Sequence, residues 1–182
     1  MPTEKRWVVK PQGDPATAAM LAAALRISPV LANLLVQRGI DTVEKADKFF
    51  KPNLADLHDP FLMKDMDKAV ERVERAVRDH EKIMVYGDYD VDGCTAVALV
   101  YKFLRQIGHK NLMFYIPDRY TEGYGISVKG IDLAARKGVG LIIALDCGIK
   151  ATEKVVYAKT KGVDFIICDH HLPAEEIPRA VA

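Results

Sequence analysis

The chain has 182 residues, of which 49% are hydrophobic and 28% are charged, and its formal net charge at pH 7 is +1. This length and composition exclude a disordered chain and allow a proper hydrophobic core. The near-neutral charge excludes a strongly basic protein that binds nucleic acid over its whole surface, although a local basic patch remains compatible with it.

The sequence patterns contain neither a targeting signal nor a cysteine pair. No apolar run approaches the roughly 18 residues of a membrane span, and the opening segment MPTEKRW lacks the apolar core of a signal peptide. We therefore expect a cytoplasmic protein without a membrane segment. Cys94, Cys147 and Cys168 form no C-x-x-C pair and lie in or beside apolar runs, which predicts reduced, packed thiols rather than disulfides or a zinc site.

Residues 1–80 are predicted to form an amino-terminal helical region. Asp41 is the expected N-cap of its third helix, and Gly39 is the expected C-cap of its second. In the fourth helix, apolar residues recur every three or four positions, which indicates one buried face. The four helices are predicted at residues 16–25, 29–38, 43–50 and 65–80.

From residue 81 onward, the pattern changes to strands that alternate with helices. Strands joined by helical crossovers are parallel, and strands such as LIIAL are apolar on both faces, as expected when helices cover both sides of a sheet. The predicted fold class is therefore α/β, a parallel sheet with helices on both faces in residues 81–182, preceded by the small helical region. Strands are predicted at 82–86, 112–116, 141–145 and 165–168, and helices at 94–107, 128–137 and 152–161.

The segment GDYDVDG after the first strand has the D-x-D-x-D-G arrangement that opens an EF-hand calcium loop. Such a loop, of about twelve residues, ends with a bidentate glutamate, whereas a loop that starts at Asp88 here ends at Leu99. It is also entered from a helix, and this segment follows a predicted strand. The acids therefore need another explanation than calcium.

Polar residues follow each predicted strand, at the edge where parallel sheets bind their ligands. The second strand leads into Arg119 and then the glycine-rich segment TEGYG. The other three strands bring five aspartates and two histidines to the same edge, namely Asp88, Asp90, Asp92, Asp146, Asp169, His170 and His171. Two carboxylates about 4 Å apart repel by roughly 4 kcal/mol at a protein surface, so a crowd of them favours bound cations.

This ligand set suits manganese, magnesium, iron or zinc, and two such ions sharing a carboxylate would hold a phosphate and activate water. Simpler interpretations exist for the separate segments. Asp92 precedes Gly93 and can act as the N-cap of the following helix. Asp169, His170 and His171 can form a solvated turn.

The motifs GDYDVDG, LDCGI and DHH, in this order and each at a strand end, resemble the first three motifs of the DHH phosphoesterase superfamily. Within it, YGDYDVDG with IPDRYTEGYG and the leading LHDPFLMKDMDKAV resembles the RecJ family of bacterial exonucleases. The resemblance extends from about residue 31 to the end of the chain and rests on the combination of motifs, since DHH alone is weak evidence.

The resemblance implies a two-metal phosphodiesterase site. Asp88 and Asp90 match the ligands of the first motif, one for each metal, Asp146 matches the bridging ligand, and His170 matches the ligand of the third motif. His171 is expected close by as a catalytic ligand or phosphate contact. Behind these ligands, Asp169 would orient the imidazoles and Asp92 would bind metal water. By residue type, Arg119 is expected to contact phosphate and Tyr124 to stack on a base.

The implied activity is a 5′ to 3′ exonuclease that hydrolyses single-stranded DNA in repair and recombination. Its cofactor would be manganese or magnesium, with two ions. The implied partners are single-stranded DNA, a single-strand-binding protein and a RecQ-type helicase. Family members continue with a fourth motif that supplies another metal aspartate and with a second catalytic domain, so we interpret the chain as an amino-terminal piece, truncated at the carboxyl end, whose own activity is in doubt.

Two alternatives remain open. A phosphoesterase of the same superfamily that acts on short oligonucleotides, cyclic dinucleotides or other small phosphate substrates would share the metal chemistry. A non-catalytic DHH-like scaffold would keep the fold and lose the ligands, although the expected acids and histidines up to His171 are present. A dinucleotide-binding oxidoreductase is set aside because no G-x-G-x-x-G follows the first strand.

Overall fold

Residues 6–182 are described by the computed structural model of the chain, and they divide into two units. The first unit, which ends at Asp59, holds three helices that each begin at a side-chain cap. Thr42, rather than the expected Asp41, caps the third helix, because Asp41 instead forms an ion pair of 2.8 Å with Lys45. The helices are α1 (Pro15–Leu25), α2 (Pro29–Val36) and α3 (Val43–Phe50).

The second unit runs from Pro60 to Ala182 and contains a parallel sheet of four strands in the order β2-β1-β3-β4. The predicted strands and crossover helices are all present, with ends that differ by a few residues, so the α/β fold class is confirmed. The strands are β1 (Lys82–Gly87), β2 (Leu112–Tyr115), β3 (Val139–Leu145) and β4 (Asp164–Cys168). The helices are α4 (Met66–Arg78), α5 (Val91–Gln106), α6 (Val128–Arg136) and α7 (Thr152–Thr160).

Helices cover both faces of this sheet because alternate residues of each strand point to opposite sides. On one face, Met84 and Tyr86 of β1 pack in a core cluster with Ile131 of α6 and Val155 of α7. On the other face, the neighbouring residues of β1 pack in a second cluster that includes residues of α4 and α5. The buried face of α4 that the sequence predicted therefore lies against this sheet.

The boundary between the units differs from the predicted one at residue 80, because α4 belongs to the second unit. Arg72 of α4 is 4% exposed and donates hydrogen bonds of 2.7 and 2.8 Å to both carboxylate oxygens of Glu81. Its Nε donates to Asp164 at the start of β4, at 2.8 Å. Periodicity reveals that α4 has a buried face but not which element covers it.

Replacing Arg72 by methionine is expected to lower the free energy of unfolding by about 3 kcal/mol, because Glu81 and Asp164 then keep their charges without the guanidinium. Urea-induced unfolding measures this loss. Arg75→Met is the matched control, since Arg75 is half exposed and lies 4.0 Å from Asp164, and we expect it to cost at most about 1 kcal/mol. Equal losses in the two variants would contradict a special role for Arg72.

Residues 181 and 182 lie beside β4. The backbone N–H of Val181 donates to the carbonyl of Phe165 at 2.8 Å, and the N–H of Ile167 donates to the carbonyl of Ala182 at 3.0 Å. These hydrogen bonds place residues 181 and 182 along the outer edge of the sheet.

The three cysteines are all free thiols, but their burial differs from the prediction. Cys147 is buried as expected, whereas Cys94 and Cys168 are exposed, so the expectation of packed thiols was correct for Cys147 alone. Within residues 6–182, none of the helices has the length and apolar character needed to cross a membrane.

Candidate metal centre

The pairing of the strands brings the acidic segments together. Gly87, the last residue of β1, is the register partner of Leu145, the last residue of β3, and Leu145 in turn pairs with Cys168, the last residue of β4. Asp88, Asp146 and Asp169 each come directly after one of these three residues. Three aspartates therefore follow three adjacent strands at the same edge of the sheet, as the sequence predicts.

Asp146, His170 and His171 form a group of potential metal ligands. One donor atom from each lies within 4.8 Å of the others, and His170 Nε2 is 3.0 Å from Asp146 Oδ1. Asp146 adopts a left-handed backbone conformation with a φ of 59°, which aspartate tolerates better than most residues. Its N–H donates to the carbonyl of Cys168 at 2.8 Å, which ties this turn to the end of β4.

Asp88 is fully buried, and neither of its carboxylate oxygens has a hydrogen-bond partner among the residues that the structure describes. A buried ionised carboxylate without a partner is strongly unfavourable, so native proteins pair such groups or use them to bind metals. Asp88 was expected to be a ligand, and its surroundings fit that role. A divalent cation would supply the positive charge that balances this carboxylate.

The charges of these aspartates also act on their neighbours. Burial raises the pKa of the Cys147 thiol to about 12, and the negative charges of Asp88, Asp169 and Asp146 contribute to this increase. Burial, followed by the charges of Asp88 and Asp146, raises the pKa of Tyr124 to about 12. The edge of the sheet is therefore a region of concentrated negative charge, which is the electrostatic condition for binding cations.

Asp90 lies at the start of α5. Its Oδ1 accepts a hydrogen bond of 2.9 Å from the N–H of Gly93, which makes Asp90 the N-cap of the helix. The alternative that Asp92 caps this helix was wrong, since Asp92 is an exposed residue of the first helical turn. Because the capping bond uses one lone pair of Oδ1, oxygen lone pairs of Asp90 remain for a metal ion.

Asp169 lies behind His171, and its side chain is only 2% exposed. Its Oδ1 is 2.7 Å from His171 Nδ1 and accepts a hydrogen bond from the His171 N–H, and its Oδ2 accepts one from the N–H of Ile149. Burial raises the pKa of Asp169, but these hydrogen bonds outweigh it, so the pKa lies below its ordinary value. The hydrogen bond to Asp169 raises the pKa of His171. These contacts fit the expected role of Asp169 in orienting an imidazole.

Two glycines allow α5 to begin directly against the end of β1. A Cβ atom on Gly93 would lie 2.5 Å from the carbonyl oxygen of Asp88 and 2.6 Å from its nitrogen, and a Cβ on Gly87 would lie 2.4 Å from Val97 Cγ2. The glycine that the calcium interpretation assigns to a loop is thus required here by the close approach of a helix to a strand. This approach fixes the backbone of Asp88.

Gly93→Ala is expected to destabilise the protein by about 1 to 3 kcal/mol, because the added methyl group meets the backbone of Asp88 rather than a flexible side chain. Helix propensity alone predicts the opposite sign, a gain of roughly 0.5 to 1 kcal/mol. Thermal unfolding of the variant, with Ala98→Gly as a control for propensity at an exposed position of α5, distinguishes the two. A stabilised Gly93→Ala protein would contradict the steric argument.

The two residues expected to contact substrate lie beside this edge. The guanidinium carbon of Arg119 is 4.5 Å from the ring centroid of Tyr89, whose ring is 6.2 Å from that of Tyr124. The hydroxyl of Tyr124 donates to the carbonyl of Asp146 at 3.3 Å and lies 3.3 Å from His171 Nε2. Tyr124 thus contacts the ligand group directly, and Arg119 is connected to it through Tyr89.

Two contributors to the site were missed in the sequence. Tyr89 lies between two predicted ligands, and a lone tyrosine in an acidic motif gives no signal of a contact with an arginine. Glu122 is part of the segment TEGYG, in which a single acid is typical of a solvated loop. Its hydrogen bonds involve residues on both sides of the loop.

Comparison with known proteins gives consistent results. Residues 82–182 match the family described as "DHH family, N-terminal domain". The single-stranded-DNA-specific exonuclease RecJ of Bacillus subtilis is 41% identical over 176 residues, which are 97% of this chain and 22% of that protein. The RecJ of Thermus thermophilus is 31% identical over 173 residues, which are 95% of this chain and 24% of that protein.

Solved structures agree with these matches. The crystal structure of RecJ from Thermus thermophilus in complex with Mn²⁺ superposes with a TM-score of 0.67 at 27% identity, over 93% of this chain and 23% of that one. A crystal structure of exonuclease RecJ bound to manganese gives a TM-score of 0.61 at 31% identity, over 65% of this chain and 30% of that one. The chain therefore spans about a quarter of the length of the curated relatives that it matches.

Proposed function

Because the chain belongs to the DHH family, we propose that it carries most of the metal ligands of an exonuclease that hydrolyses single-stranded DNA from the 5′ end. The observation that carries this proposal is the buried carboxylate of Asp88, without a hydrogen-bond partner among residues 6–182, at the edge of the sheet where Asp146 and His170 also lie. Relatives named as single-stranded-DNA-specific exonucleases, and manganese in the RecJ crystal structures, support the choice of substrate and cofactor.

In this proposal, Asp88 and Asp90 would each hold one of two divalent ions, manganese or magnesium. Asp146 would be a ligand of both ions, and His170 would complete the ligands from this chain. The ions would supply charge neutralisation and a water molecule activated for attack on phosphorus. His171, which is hydrogen-bonded to Asp169, would contact a metal or the scissile phosphate. Asp92, exposed in the first turn of α5, would bind water of the metal shell.

Arg119 and Tyr124 would bind the substrate. A guanidinium suits a phosphate because it presents several donors in one plane. Tyr124 is about half exposed, so one face of its ring can take a base while its hydroxyl contacts His171. An open surface depression of about 470 Å³ beside Tyr89, Asp90 and Arg119 leaves room for a nucleotide next to the ligands.

The biological part of the proposal rests on the resemblance to the RecJ family. The reaction would release mononucleotides during DNA repair and recombination in the cytoplasm. A single-strand-binding protein that covers the substrate and a RecQ-type helicase that produces it are the proposed partners.

A digestion assay tests the proposal. The intact enzyme is incubated with Mn²⁺ and either long single-stranded DNA, the same DNA as a duplex, or a dinucleotide. We expect mononucleotide release from the long single strand and little from the duplex. Preference for the dinucleotide would instead indicate a small-substrate phosphoesterase. Absence of Mn²⁺ binding in a calorimetric titration would indicate a non-catalytic scaffold.

A further inference from the structure

The carboxylate of Glu122 accepts hydrogen bonds from both ends of the loop between β2 and α6. Glu122 Oε2 accepts a hydrogen bond of 2.7 Å from the hydroxyl of Tyr115, at the end of β2, and another from the hydroxyl of Ser127, the N-cap of α6. Glu122 Oε1 accepts a third, of 3.0 Å, from the N–H of Asp118. A single side chain thus joins the strand, the start of the loop and the start of the next helix.

A buried tyrosine holds the other end of the same loop. The hydroxyl of Tyr86, in the middle of the sheet, donates to the carbonyl of Gly125 at 3.0 Å and accepts from the N–H of Ser127 at 2.9 Å. Its ring packs on that of Tyr115, with centroids 5.3 Å apart. The loop is therefore fixed to the sheet at both ends, next to the segment that leads to Tyr124.

The loop carries both residues proposed to bind substrate. Arg119 and Tyr124 lie between the two fixed ends, and Tyr124 is flanked by Gly123 and Gly125, whose φ values of +78° and +80° strongly favour glycine. Asp118 stabilises the start of the loop by accepting hydrogen bonds from the N–H groups of residues 120 and 121. The positions of Arg119 and Tyr124 thus depend on a hydrogen-bond network that contains neither of them.

Glu122 is ionised in this network. Partial burial raises its pKa, but the hydrogen bonds from Ser127, Asp118 and Tyr115 outweigh that effect, and the pKa lies below its ordinary value. Three donors therefore converge on a full negative charge, and such charge-assisted hydrogen bonds are about twice as strong as those between neutral groups.

We propose that Glu122 is a positioning residue, which holds the loop so that Arg119 and Tyr124 meet the DNA strand beside the metal centre. This proposal rests on the proposed function for its substrate. The role of Glu122 in fixing the loop does not, because that role follows from the hydrogen bonds alone.

The test uses Glu122→Gln in the intact enzyme, because glutamine keeps the size of the side chain but cannot accept all three hydrogen bonds. We expect the KM for single-stranded DNA to rise about tenfold with kcat changed less than about twofold, since binding is lost while the metal ligands are untouched. The affinity for Mn²⁺ in a calorimetric titration should stay unchanged. Glu71→Gln, at an exposed position of α4, is the matched control and should leave both values at wild type.

Limited digestion with trypsin reports on the loop without any activity. Arg119 is exposed in the loop, and we expect the bond after it to be cut several times faster in Glu122→Gln than in wild type or Glu71→Gln, as measured by mass spectrometry of the peptides. Tyr115→Phe removes one donor and should have a smaller effect in the same direction. Combined with Glu122→Gln, it should add little, because both changes break the same contact.

The outcomes separate the two proposals. Faster cleavage after Arg119 in a protein whose wild type does not degrade DNA would overturn the proposed function and leave the role of Glu122 in the loop intact. Unchanged cleavage together with an unchanged KM would overturn the role of Glu122. If Glu122→Gln does not fold, Tyr115→Phe decides by the same two measurements.

Discussion

Asp146→Ala in the intact enzyme is expected to abolish nuclease activity, with a loss on the order of a thousandfold or more. Asp146 Oδ1 lies 3.0 Å from His170 Nε2, and both residues belong to the same group of potential ligands as His171. If it bridges two ions, its removal weakens the binding of both at once, whereas loss of Asp90 would affect one. Mononucleotide release from single-stranded DNA with Mn²⁺ measures the effect, and activity within about tenfold of wild type would refute the bridging role.

A second variant at position 146 separates the loss of a metal ligand from the strain that the substitution puts on the backbone. Asp146 has a φ of 59°, a conformation that costs alanine roughly 1 kcal/mol or more but that asparagine tolerates. Asp146→Asn should therefore keep the stability of the wild type and still lose the activity. Asp67→Asn, an exposed acid in the first turn of α4, is the control for loss of one negative charge. Full activity of Asp146→Asn would show that the charge of Asp146 is dispensable.

The fold could be predicted from the sequence because its signals are local. Apolar runs such as LIIAL mark strands buried on both faces, and the alternation with helices implies parallel strands. Parallel strands place their carboxyl ends at one edge, so the sequence alone predicts that Asp88, Asp146 and Asp169 lie close together. The place of α4 in the second unit could not be predicted, because its contacts with the sheet, such as that of Arg72 with Asp164, join residues as far as 92 positions apart.

The detail of the site depends on contacts that residue types do not reveal. Asp90 and Asp92 both precede a helix, and only the backbone geometry selects Asp90 as the cap. In the sequence, Glu122 is typical of a solvated loop acid. Only the structure shows that the hydroxyls of Tyr115 and Ser127 both donate hydrogen bonds to it. The burial of Asp88 follows from the close approach at Gly93, which a sequence shows only as one more glycine in a turn-like motif.

Without metal, the Asp88→Asn variant is expected to be more stable than the wild type. In the presence of Mn²⁺, it is expected to be less stable than the wild type. Without metal, Asp88 is a buried carboxylate whose oxygens have no hydrogen-bond partner within residues 6–182, beside the charges of other aspartates. Removing its charge should raise the free energy of unfolding by about 1 to 3 kcal/mol. With Mn²⁺ at about a hundred times its Kd, the wild type gains about 2.7 kcal/mol, and a variant that cannot bind gains nothing.

The Tm of Asp88→Asn should therefore be higher than that of the wild type in a solution with chelator and lower in a solution with Mn²⁺. This reversal is specific, because a purely structural role of Asp88 predicts a lower Tm for the variant in both solutions. It also distinguishes Asp88 from the exposed acids, since Asp67→Asn should follow the wild type under both conditions. A wild-type Tm that does not respond to Mn²⁺ would contradict the metal centre itself, because an ion bound to the folded protein must raise its Tm.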